Sequence, residues 1–342
     1  MYSMERLAKI FIRFSEVEAQ KSIPLYAYWS KKISEDRELL TLIQFIPDSQ
    51  PKPNMFFASV QYLALKQNHP LKTYYSIFDQ SENYLEESFK CLKEFVRLNE
   101  EALINCFLTK LVQTNELNRS SYLYPIMSEI AYKTGKPLTL IEIGTSAGLL
   151  LNLDNYQYEI KETNQVLQFG NFKSDVVVHA ENNGEPLTAI RPFQVSERVG
   201  VDLNIVDLNE EEDYEWMQAL IWPEQKSRKE LLRKVRTLNK NIPKKLYAGD
   251  FLQVIPSFLQ NIDNGTQTVI FHTHVANQFD ESLKIKLLTM IHNISEQHPI
   301  YHVYNNMYDR HLHIDYITQS STEKIKIINE VDGHGKYFSW IQ

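Results

Sequence analysis

LTLIEIGTSAG, residues 138–148, is the stretch of this sequence that decides the fold. Its first part, Leu138 to Ile141, is a short apolar run of the kind that forms a buried parallel strand. Gly144 and Gly148 bound the loop that follows, and because glycine lacks a Cβ, the backbone there can turn sharply and approach a ligand closely. The apolar residues Leu149 to Leu153 predict a helix after the loop, with free N–H groups and a positive dipole end that suit a carboxylate or phosphate.

Strand-like and helix-like segments alternate after this stretch, which predicts βαβ units and a parallel sheet. Apolar runs predict buried strands over 198–203, 245–248, 268–272 and 299–304. Helical periodicity predicts helices over 212–221, 224–238, 251–259 and 281–295. The tail, residues 325–341, looks like two strands around the turn at 332–335. The fold class is therefore α/β.

The residues before this stretch have a helical character. Apolar side chains recur at helical spacing from Leu7 to Phe14, and no glycine occurs before Gly135, so tight hairpin turns are not expected there. We expect an α-helical N-terminal domain over 1–135 and a second, α/β domain over 136–342. An insertion is expected at about 156–197, where short β-like pieces and turn residues interrupt the alternation.

Composition is typical of a globular protein, with 342 residues, 43% hydrophobic, and a net charge of −7. That charge gives no general attraction to nucleic acid or to an anionic membrane, so neither is expected as a partner. The two cysteines, Cys91 and Cys106, lie on apolar sides of predicted helices and are expected to be buried free thiols. With no signal-peptide pattern and no apolar run long enough to span a bilayer, the chain is expected to be cytoplasmic.

Three interpretations compete for the glycine loop. A dinucleotide fingerprint requires G-x-G-x-x-G, and Ser146 stands in place of its second glycine. The nucleophile elbow of serine hydrolases, G-x-S-x-G, matches literally with Ser146 as the nucleophile, but residues 1–135 lack the strands and oxyanion loop expected before it. The methyltransferase loop, E/D-x-G-x-G-x-G, matches at Glu142, Gly144 and Gly148. We favour the third interpretation, with a hydrolase or a purely structural loop as alternatives.

Acids at the ends of the later strands support a nucleoside ligand. Asp202 ends the second predicted strand, where its carboxylate can accept bonds from both ribose hydroxyls. Asp250 follows the third strand, where it can bond an adenine amine while Phe251 stacks on the ring. Ligands of open α/β sheets bind outside the carboxyl ends of the strands, so these residues are expected to converge. The predicted S-adenosylmethionine site comprises Glu142, Gly144, Ser146, Gly148, Asp202, Asp250 and Phe251.

The chain resembles the bacterial domain-of-unknown-function family 2332, whose members look methyltransferase-like. The residues that carry the resemblance are Ser22-Ile23-Pro24-Leu25-Tyr26, Thr114-Asn115-Glu116 with Arg119-Ser120, Glu142 to Gly148 with Asp154 and Tyr156, Gly200-Val201-Asp202 with Asp207, Trp216, Trp222-Pro223-Glu224, Gly249-Asp250, Phe271-His272-Thr273, and His334-Gly335 with Trp340. The chain departs from the family pattern at Leu150 and Asn155, where Asn and Arg are expected. The resemblance spans nearly the whole chain and implies a Rossmann-like methyltransferase fold for 136–342.

Polar residues near the loop predict the side of the site that takes the methyl acceptor. The run at 114–119 is interpreted as a loop that closes the crevice, with Glu116 and Arg119 contacting substrate or the cofactor carboxylate; a helix cap and surface loop is the alternative. His272 and His274 flank a strand-end threonine and are expected to face the same side, where either can act as a general base. Two histidines alone do not predict a metal site. The predicted catalytic residues are His272, His274 and Glu116, and the predicted substrate-binding residues are Asn115, Arg119 and Trp222.

The sequence thus predicts a methyltransferase that uses S-adenosylmethionine. No Asn/Asp-Pro-Pro-Tyr-type sequence follows the fourth strand, which argues against methylation of base or glutamine amino groups and favours a small-molecule acceptor. Two alternatives stay open: a serine hydrolase that uses Ser146, and a non-catalytic protein that binds S-adenosylmethionine or a related nucleoside.

Overall fold

The computed structural model describes residues 2–20, 22–76, 81–113, 115–260 and 265–342. The chain divides into two compact units. The helical unit comprises Met1–Thr114 and Asn209–Leu232, and the sheet unit comprises Asn115–Leu208 and Arg233–Gln342.

Within the described residues the α-helices are α1 Met4–Arg13, α2 Pro24–Ile33, α3 Arg37–Ile43, α4 Lys52–Lys66, α5 Glu82–Leu98, α6 Glu100–Thr109, α7 Ser120–Thr134, α8 Glu211–Leu220, α9 Lys226–Asn239, α10 Phe251–Leu259 and α11 Glu281–Ser295. The strands there are β1 Leu138–Ile143, β2 Gln157–Lys161, β3 Val166–Gly170, β4 Val177–Asn182, β5 Val195–Asp202, β6 Lys245–Ala248, β7 Gln267–His272, β8 Ile300–Tyr304, β9 Leu312–Ile317, β10 Thr322–Ile328 and β11 Tyr337–Phe338. The four helices predicted after the glycine loop are α8 to α11, and the expected strands around them are β1, β5, β6, β7 and β8. The prediction of a mixed α/β protein with a helical N-terminal region is confirmed.

The helical unit is built around α4, most of whose residues are buried. A helix that is apolar on nearly every side must be surrounded by other helices. Phe57 of α4 lies in an aromatic core, where the Tyr26 ring stacks on it at a centroid distance of 4.2 Å and the Phe14 ring lies 5.8 Å away. Trp216 and Ala219 of α8 belong to the same core, which explains why a helix distant in sequence joins this unit.

The sheet unit contains a seven-stranded sheet in the order β10-β9-β8-β7-β1-β5-β6. The strands from β6 across to β8 are parallel, β9 runs antiparallel to β8, and β10 runs antiparallel to β9. The carboxyl ends of five parallel strands therefore lie at one edge of the sheet. A second sheet, in the order β11-β4-β2-β3, contains most of the predicted insertion and the end of the tail.

The units divide the chain differently from the expected boundary between residues 135 and 136. Helix α7 belongs to the sheet unit, because most of its side chains are buried and it packs against the 3₁₀ helix Leu150–Asn155 and against β4. The two strands expected in the tail are β10 and β11, but they join different sheets. The antiparallel strand β9 was not predicted.

The helix expected at Leu149 to Leu153 is instead the 3₁₀ helix Leu150–Asn155. Side chains bind the carbonyl groups that an α-helix would use: the Tyr156 hydroxyl donates to Leu149 O at 2.7 Å and the Tyr158 hydroxyl donates to Leu153 O at 2.6 Å. Arg198 Nε donates to Leu151 O at 3.0 Å. Because these donors fix the segment, the chain turns directly into β2, and the expectation of an α-helix with free N–H groups is wrong.

Cys106 is buried and Cys91 is partly buried, and neither forms a disulfide with another described residue. Among the helices that the structure describes, none combines the length and apolar character needed to cross a bilayer.

Gln61 connects α4 to the end of α8 inside the helical unit. Its side chain is fully buried, and Nε2 donates to the carbonyl oxygens of Ala219 at 2.8 Å and Ile221 at 3.1 Å. Lys229 Nζ donates to Gln61 Oε1 at 3.3 Å, and burial lowers the pKa of that lysine to about 8. One amide thus satisfies three polar groups that α8 and α9 bring into the unit.

We expect Gln61→Leu to lower the free energy of unfolding by about 3 kcal/mol, because a buried group that loses its partner costs about 1–3 kcal/mol. Urea denaturation followed by tryptophan fluorescence measures this, since Trp29, Trp216 and Trp222, three of the four tryptophans, lie in the helical unit. The control is Gln67→Leu, which removes an exposed bond of 2.7 Å to Asn99 Oδ1. The control should change stability by less than about 0.5 kcal/mol; similar losses in both variants would contradict the role given to Gln61.

Candidate functional site

The glycine loop follows β1 and has the sharp backbone turns that its sequence predicts. Gly144 and Gly148 have φ of 74° and 67°, and Ser146 has φ of 48°. Every backbone N–H from Gly144 to Gly148 donates to a protein acceptor: the first two donate to Val201 O, and Gly148 N donates to Thr145 O. Ser146 N donates to Asp202 Oδ2 at 2.8 Å, and Ala147 N donates to Asn115 Oδ1 at 3.1 Å. The loop amides are therefore engaged within the protein, and side chains must supply the contacts to any ligand.

Gly144 is also required by packing. A Cβ at this position would lie 2.3 Å from Val275 Cγ2, and the backbone φ disfavours other residues. Val275 follows β7, so this contact holds the ends of two neighbouring strands together.

Glu142 lies beneath the loop and is buried. The Thr145 hydroxyl donates to Glu142 Oε2 at 2.7 Å. Burial raises the pKa of Glu142 to about 8; the bond from Thr145 opposes this rise, and the negative charge of Asp202 adds to it. The carboxyl group is therefore mostly neutral at pH 7, and it supports the loop from below.

Asp202 is a partly accessible carboxylate at this edge of the sheet, next to the glycine loop. It lies at the end of β5, where Oδ2 accepts from Ser146 N and Oδ1 accepts from Asn204 N at 3.1 Å. Two backbone donors fix the orientation of the group, which still has lone pairs for further donors.

The segment before α7, residues 115–119, joins the glycine loop to the turn at 332–335. Asn115 Nδ2 donates to Ser146 Oγ at 2.8 Å. Arg119 is 8% exposed, and its Nε donates to Gly333 O at 2.8 Å while Nη1 donates to Thr273 O at 3.2 Å. The segment thus reaches the glycine loop, the end of β7 and the turn at 332–335.

Glu116 in the same segment pairs with a histidine of that turn. Its Oε2 lies 3.2 Å from His334 Nδ1, with side-chain exposures of 3% for the carboxylate and 56% for the imidazole. Its other oxygen accepts from Asn118 N at 3.4 Å and so caps the 3₁₀ helix Leu117–Arg119. Asn115 binds the glycine loop directly, whereas Glu116 and Arg119 contact the turn at 332–335, and the contacts of these residues with a ligand stay a prediction.

His272 and His274 occupy different surroundings, so the expectation that they face the same side is wrong. Side chains alternate between the two faces of a strand only as far as His272, where β7 ends, and the backbone of His274 is left-handed with φ of 59°. His274 Nε2 and Nδ1 each lie 3.2 Å from an amide nitrogen, of Asn305 and Asn306 respectively. Burial lowers the pKa of His274 to about 4, and the positive charge of Arg119 adds to this shift.

His272 lies inside the sheet unit, away from solvent. Its Nε2 is 3.2 Å from His302 Nε2, and the Tyr304 ring stacks on it at 5.9 Å. Burial lowers the pKa of His272 to about 3 and that of His302 well below its ordinary value. Both imidazoles are neutral, and the geometry of His272 is that of a core residue.

Three other predicted site residues make contacts typical of structural positions. Asp250 accepts from Leu252 N at 2.9 Å and caps α10. Phe251 is 9% exposed and packs in the core under the sheet, with its ring 5.5 Å from that of Phe279. Trp222 belongs to the helical unit, where its ring packs edge-on against Phe14 at 5.7 Å.

Ser146 has no catalytic base beside it. Among the described residues Asn115 is the side-chain partner of the Ser146 hydroxyl, and no described histidine lies within hydrogen-bond distance of that hydroxyl. The hydrolase alternative therefore lacks the imidazole that activates a serine nucleophile. In the part of the chain that the structure describes, no group of three or more histidine, cysteine or acidic side chains has the arrangement needed to hold a metal ion.

A surface cavity of about 770 Å³ lies elsewhere in the sheet unit, between α10 and the sheet. It is lined by Thr139, Glu197, Lys245, Tyr247 and Phe258, and includes none of the predicted site residues. Its strand residues come mainly from the starts of β1, β5 and β6, whereas ligands of parallel sheets bind at the carboxyl ends.

The fold is that of a mixed α/β protein, and polar side chains lie at the carboxyl ends of the parallel strands of its sheet unit. A family model described as an uncharacterised protein conserved in bacteria, DUF2332, matches residues 8–340. The chain belongs to this family. No curated protein and no solved structure matches the chain.

Sequence patterns did not single out His334 as a site residue. It stands in the sequence Asp332-Gly333-His334-Gly335, which predicts a turn, and its partner Glu116 is 218 positions away. The signal that could have identified it is its place among the residues that carry the family resemblance.

We expect Gly144→Ala to lower the free energy of unfolding by about 3 kcal/mol, as the sum of left-handed backbone strain and overpacking. The control is Gly135→Ala, which has a similar φ of 67° but no atom within 4 Å of the added Cβ, and should cost about 1 kcal/mol. Chemical denaturation of both variants measures the difference. Val275→Ala should recover part of the loss in the Gly144→Ala background, and strict additivity of the two changes would exclude the packing explanation.

We expect acid to weaken the fold through His272. Its folded-state pKa of about 3 lies below the ordinary 6.5, so below pH 6.5 the unfolded chain binds a proton that the folded chain does not. Stability is therefore lost as the pH falls through this range, by about 2 kcal/mol from this residue at about pH 5. In His272→Gln the loss of stability between about pH 7 and about pH 5 should be smaller by this amount. Denaturation at several pH values tests it, with the exposed His292→Gln as control; parallel curves for wild type and His272→Gln would contradict the assignment.

Proposed function

We propose that the sheet unit binds S-adenosylmethionine at the carboxyl ends of β1 and β5 and transfers its methyl group to a small-molecule acceptor. The observation that carries the proposal is the carboxylate of Asp202, which two backbone N–H groups hold beside the glycine loop and which stays partly accessible. A carboxylate in this orientation can accept bonds from both hydroxyls of a ribose.

The topology supports a site at this edge. If the parallel strands β1, β5, β6, β7 and β8 are numbered 1 to 5 in chain order, their order across the sheet is 3-2-1-4-5. Doubly wound nucleotide-binding sheets begin with this strand order. The strand order reverses between β1 and β7, and such switch points are where open α/β sheets bind their ligands. A Rossmann-like methyltransferase fold is consistent with this order, with the antiparallel β9 and β10 as an elaboration.

The residues at this edge of the sheet fit the ribose of S-adenosylmethionine, but the glycine loop lacks the free N–H groups expected for its carboxylate. Asp202 suits the ribose, but the loop amides already have protein acceptors and no α-helix follows the loop. The carboxylate end of the ligand would therefore be held by a side chain. Arg119 is a candidate, because its Nη2 reaches solvent and no described residue accepts a hydrogen bond from it.

S-adenosylmethionine, when bound, supplies a methyl group on a positively charged sulfur. The protein would contribute orientation of the acceptor and exclusion of water, since methyl transfer requires no covalent intermediate with the enzyme. Asp202 would bind the ribose, and Arg119 would bind the carboxylate of the ligand.

We expect wild-type protein to bind S-adenosylmethionine and S-adenosylhomocysteine in isothermal titration calorimetry, and Asp202→Asn to bind both at least about tenfold more weakly. That factor corresponds to the loss of a hydrogen bond to a charged group. Asp175→Asn, at an exposed position of the same unit, is the control and should retain wild-type affinity.

Absence of binding by the wild type would reject the cofactor assignment. Equal affinity in Asp202→Asn would reject the ribose contact. Glu142→Gln keeps an acceptor for the Thr145 hydroxyl, so unchanged affinity there would exclude a direct contact between Glu142 and the amine of the ligand. Binding without methyl transfer to any of a broad set of acceptors would favour the non-catalytic alternative.

A further inference from the structure

His334 differs from the other two histidines of this region because one of its ring nitrogens is available. His272 is sealed inside the unit, and both nitrogens of His274 face amide groups. Nδ1 of His334 faces Glu116, whereas no described residue lies within hydrogen-bond distance of Nε2, and over half of the side chain is exposed.

The carboxylate behind this imidazole is buried. Glu116 accepts the proton of His334 Nδ1, which fixes the neutral ring in the tautomer that has its lone pair on Nε2. A buried carboxylate also stabilises the imidazolium that forms when Nε2 takes up a proton. The pair has the arrangement that orients a histidine base in many enzymes, with the base directed outward.

The turn that carries His334 is held on several sides. Asp332 Oδ2 accepts from His334 N at 2.9 Å and from Lys336 N at 3.1 Å. Arg119 Nε binds Gly333 O, as described above. A Cβ on Gly335 would lie 2.3 Å from the carbonyl carbon of Asn118, so the turn packs directly against the segment that contains Glu116. The imidazole is thus positioned before any ligand arrives.

Asn115, the residue next to Glu116 in the chain, links the pair to the glycine loop. Glu116 follows Asn115, whose side chain binds both Ser146 Oγ and Ala147 N. Arg119, one turn further along, joins the His334 turn to the end of β7. The base and the proposed cofactor loop therefore belong to one connected polar network in the sheet unit.

We propose that His334 is the general base of this site and that Glu116 is its positioning residue, which implies an acceptor that carries a hydroxyl or amine. This inference rests on the proposed methyl transfer. As the acceptor oxygen or nitrogen bonds to the methyl carbon, the methyl–sulfur bond breaks and its electron pair stays on sulfur, so that S-adenosylhomocysteine is the other product. The acceptor's bond to hydrogen breaks as well, and the proton bonds to His334 Nε2. The resulting imidazolium returns the proton to water, and the carboxylate of Glu116 stays ionised throughout.

The chain offers a matched control pair on the second sheet. His179 Nδ1 lies 3.2 Å from Glu159 Oε2, the same separation as in the proposed pair, but this carboxylate is 31% exposed rather than 3%. Solvent competes for an exposed carboxylate, so Glu159 should orient its histidine weakly. The two pairs separate the effect of burial from that of distance.

The first experiment observes the tautomer by long-range ¹H–¹⁵N NMR of the protein without cofactor, at a pH where the histidines are neutral. We expect the proton of His334 on Nδ1 in the wild type and on Nε2 in Glu116→Leu, whereas Glu159→Leu leaves His334 unchanged. A proton on Nε2 in the wild type would overturn the proposal, and this reading needs no variant to fold.

The second experiment measures basic catalysis with 4-nitrophenyl acetate as the probe. Here Nε2 takes one proton from the attacking water as the water oxygen bonds to the ester carbonyl carbon. The bond from that carbon to the phenolic oxygen then breaks and releases 4-nitrophenolate and acetic acid, which gives its proton to water to form acetate. We expect His334→Gln to lower the protein-catalysed rate about tenfold, below the 10²–10⁴-fold typical of a positioned base acting on its own substrate. His179→Gln should retain the wild-type rate.

A wild-type rate in His334→Gln would overturn the assignment of the base, and a wild-type rate in folded Glu116→Leu would overturn the positioning role. Neither measurement contains S-adenosylmethionine. Failure of cofactor binding in calorimetry would therefore remove methyl transfer as the reaction, and is distinguishable from failure of the histidine–glutamate pair.

Discussion

The guanidinium of Arg119 is the interaction on which the strand-end region of the sheet unit depends. Arg119 is 8% exposed, and its Nε and Nη1 donate to backbone oxygens of two distant segments, at Gly333 and Thr273. These bonds offset much of the cost of burying a charged group. One planar side chain thereby fixes the end of β7, the turn that carries His334 and the segment before α7. The polar residues of the site are positioned relative to each other because all three segments share this partner.

The parallel sheet follows from the sequence because buried parallel strands are continuous apolar runs, and β1 and β7 are buried along their whole lengths. The glycine loop was predictable for a similar local reason, since Gly144 and Gly148 mark positive φ. The 3₁₀ helix after the loop was not, because hydroxyls of Tyr156 and Tyr158 decide it by binding carbonyl groups. Local helix propensity does not include such donors, because they reach these carbonyl groups only after β2 has formed.

The histidines show the same limit for the site. Strand alternation correctly relates residues within β7, but it ends at His272, and the positive φ of His274 turns the next histidine into different surroundings. The partner that gives His334 its orientation comes from a buried glutamate 218 positions earlier. Residue type and spacing therefore predicted where a candidate site lies, whereas the surroundings of its histidines depend on tertiary contacts.

These long separations have a consequence for the order in which the molecule acquires its parts. Arg119 and Gly333 are 214 positions apart, and Arg119 and Thr273 are 154 apart. Closing such loops costs conformational entropy that short-range helices and neighbouring strands avoid, so contacts of this kind form late. Single helices and the antiparallel strands β8, β9 and β10, which follow each other closely in the chain, should therefore form while the histidine–glutamate pair is still open. The contacts of Arg119 and of the histidine–glutamate pair would then be among the last to form during refolding.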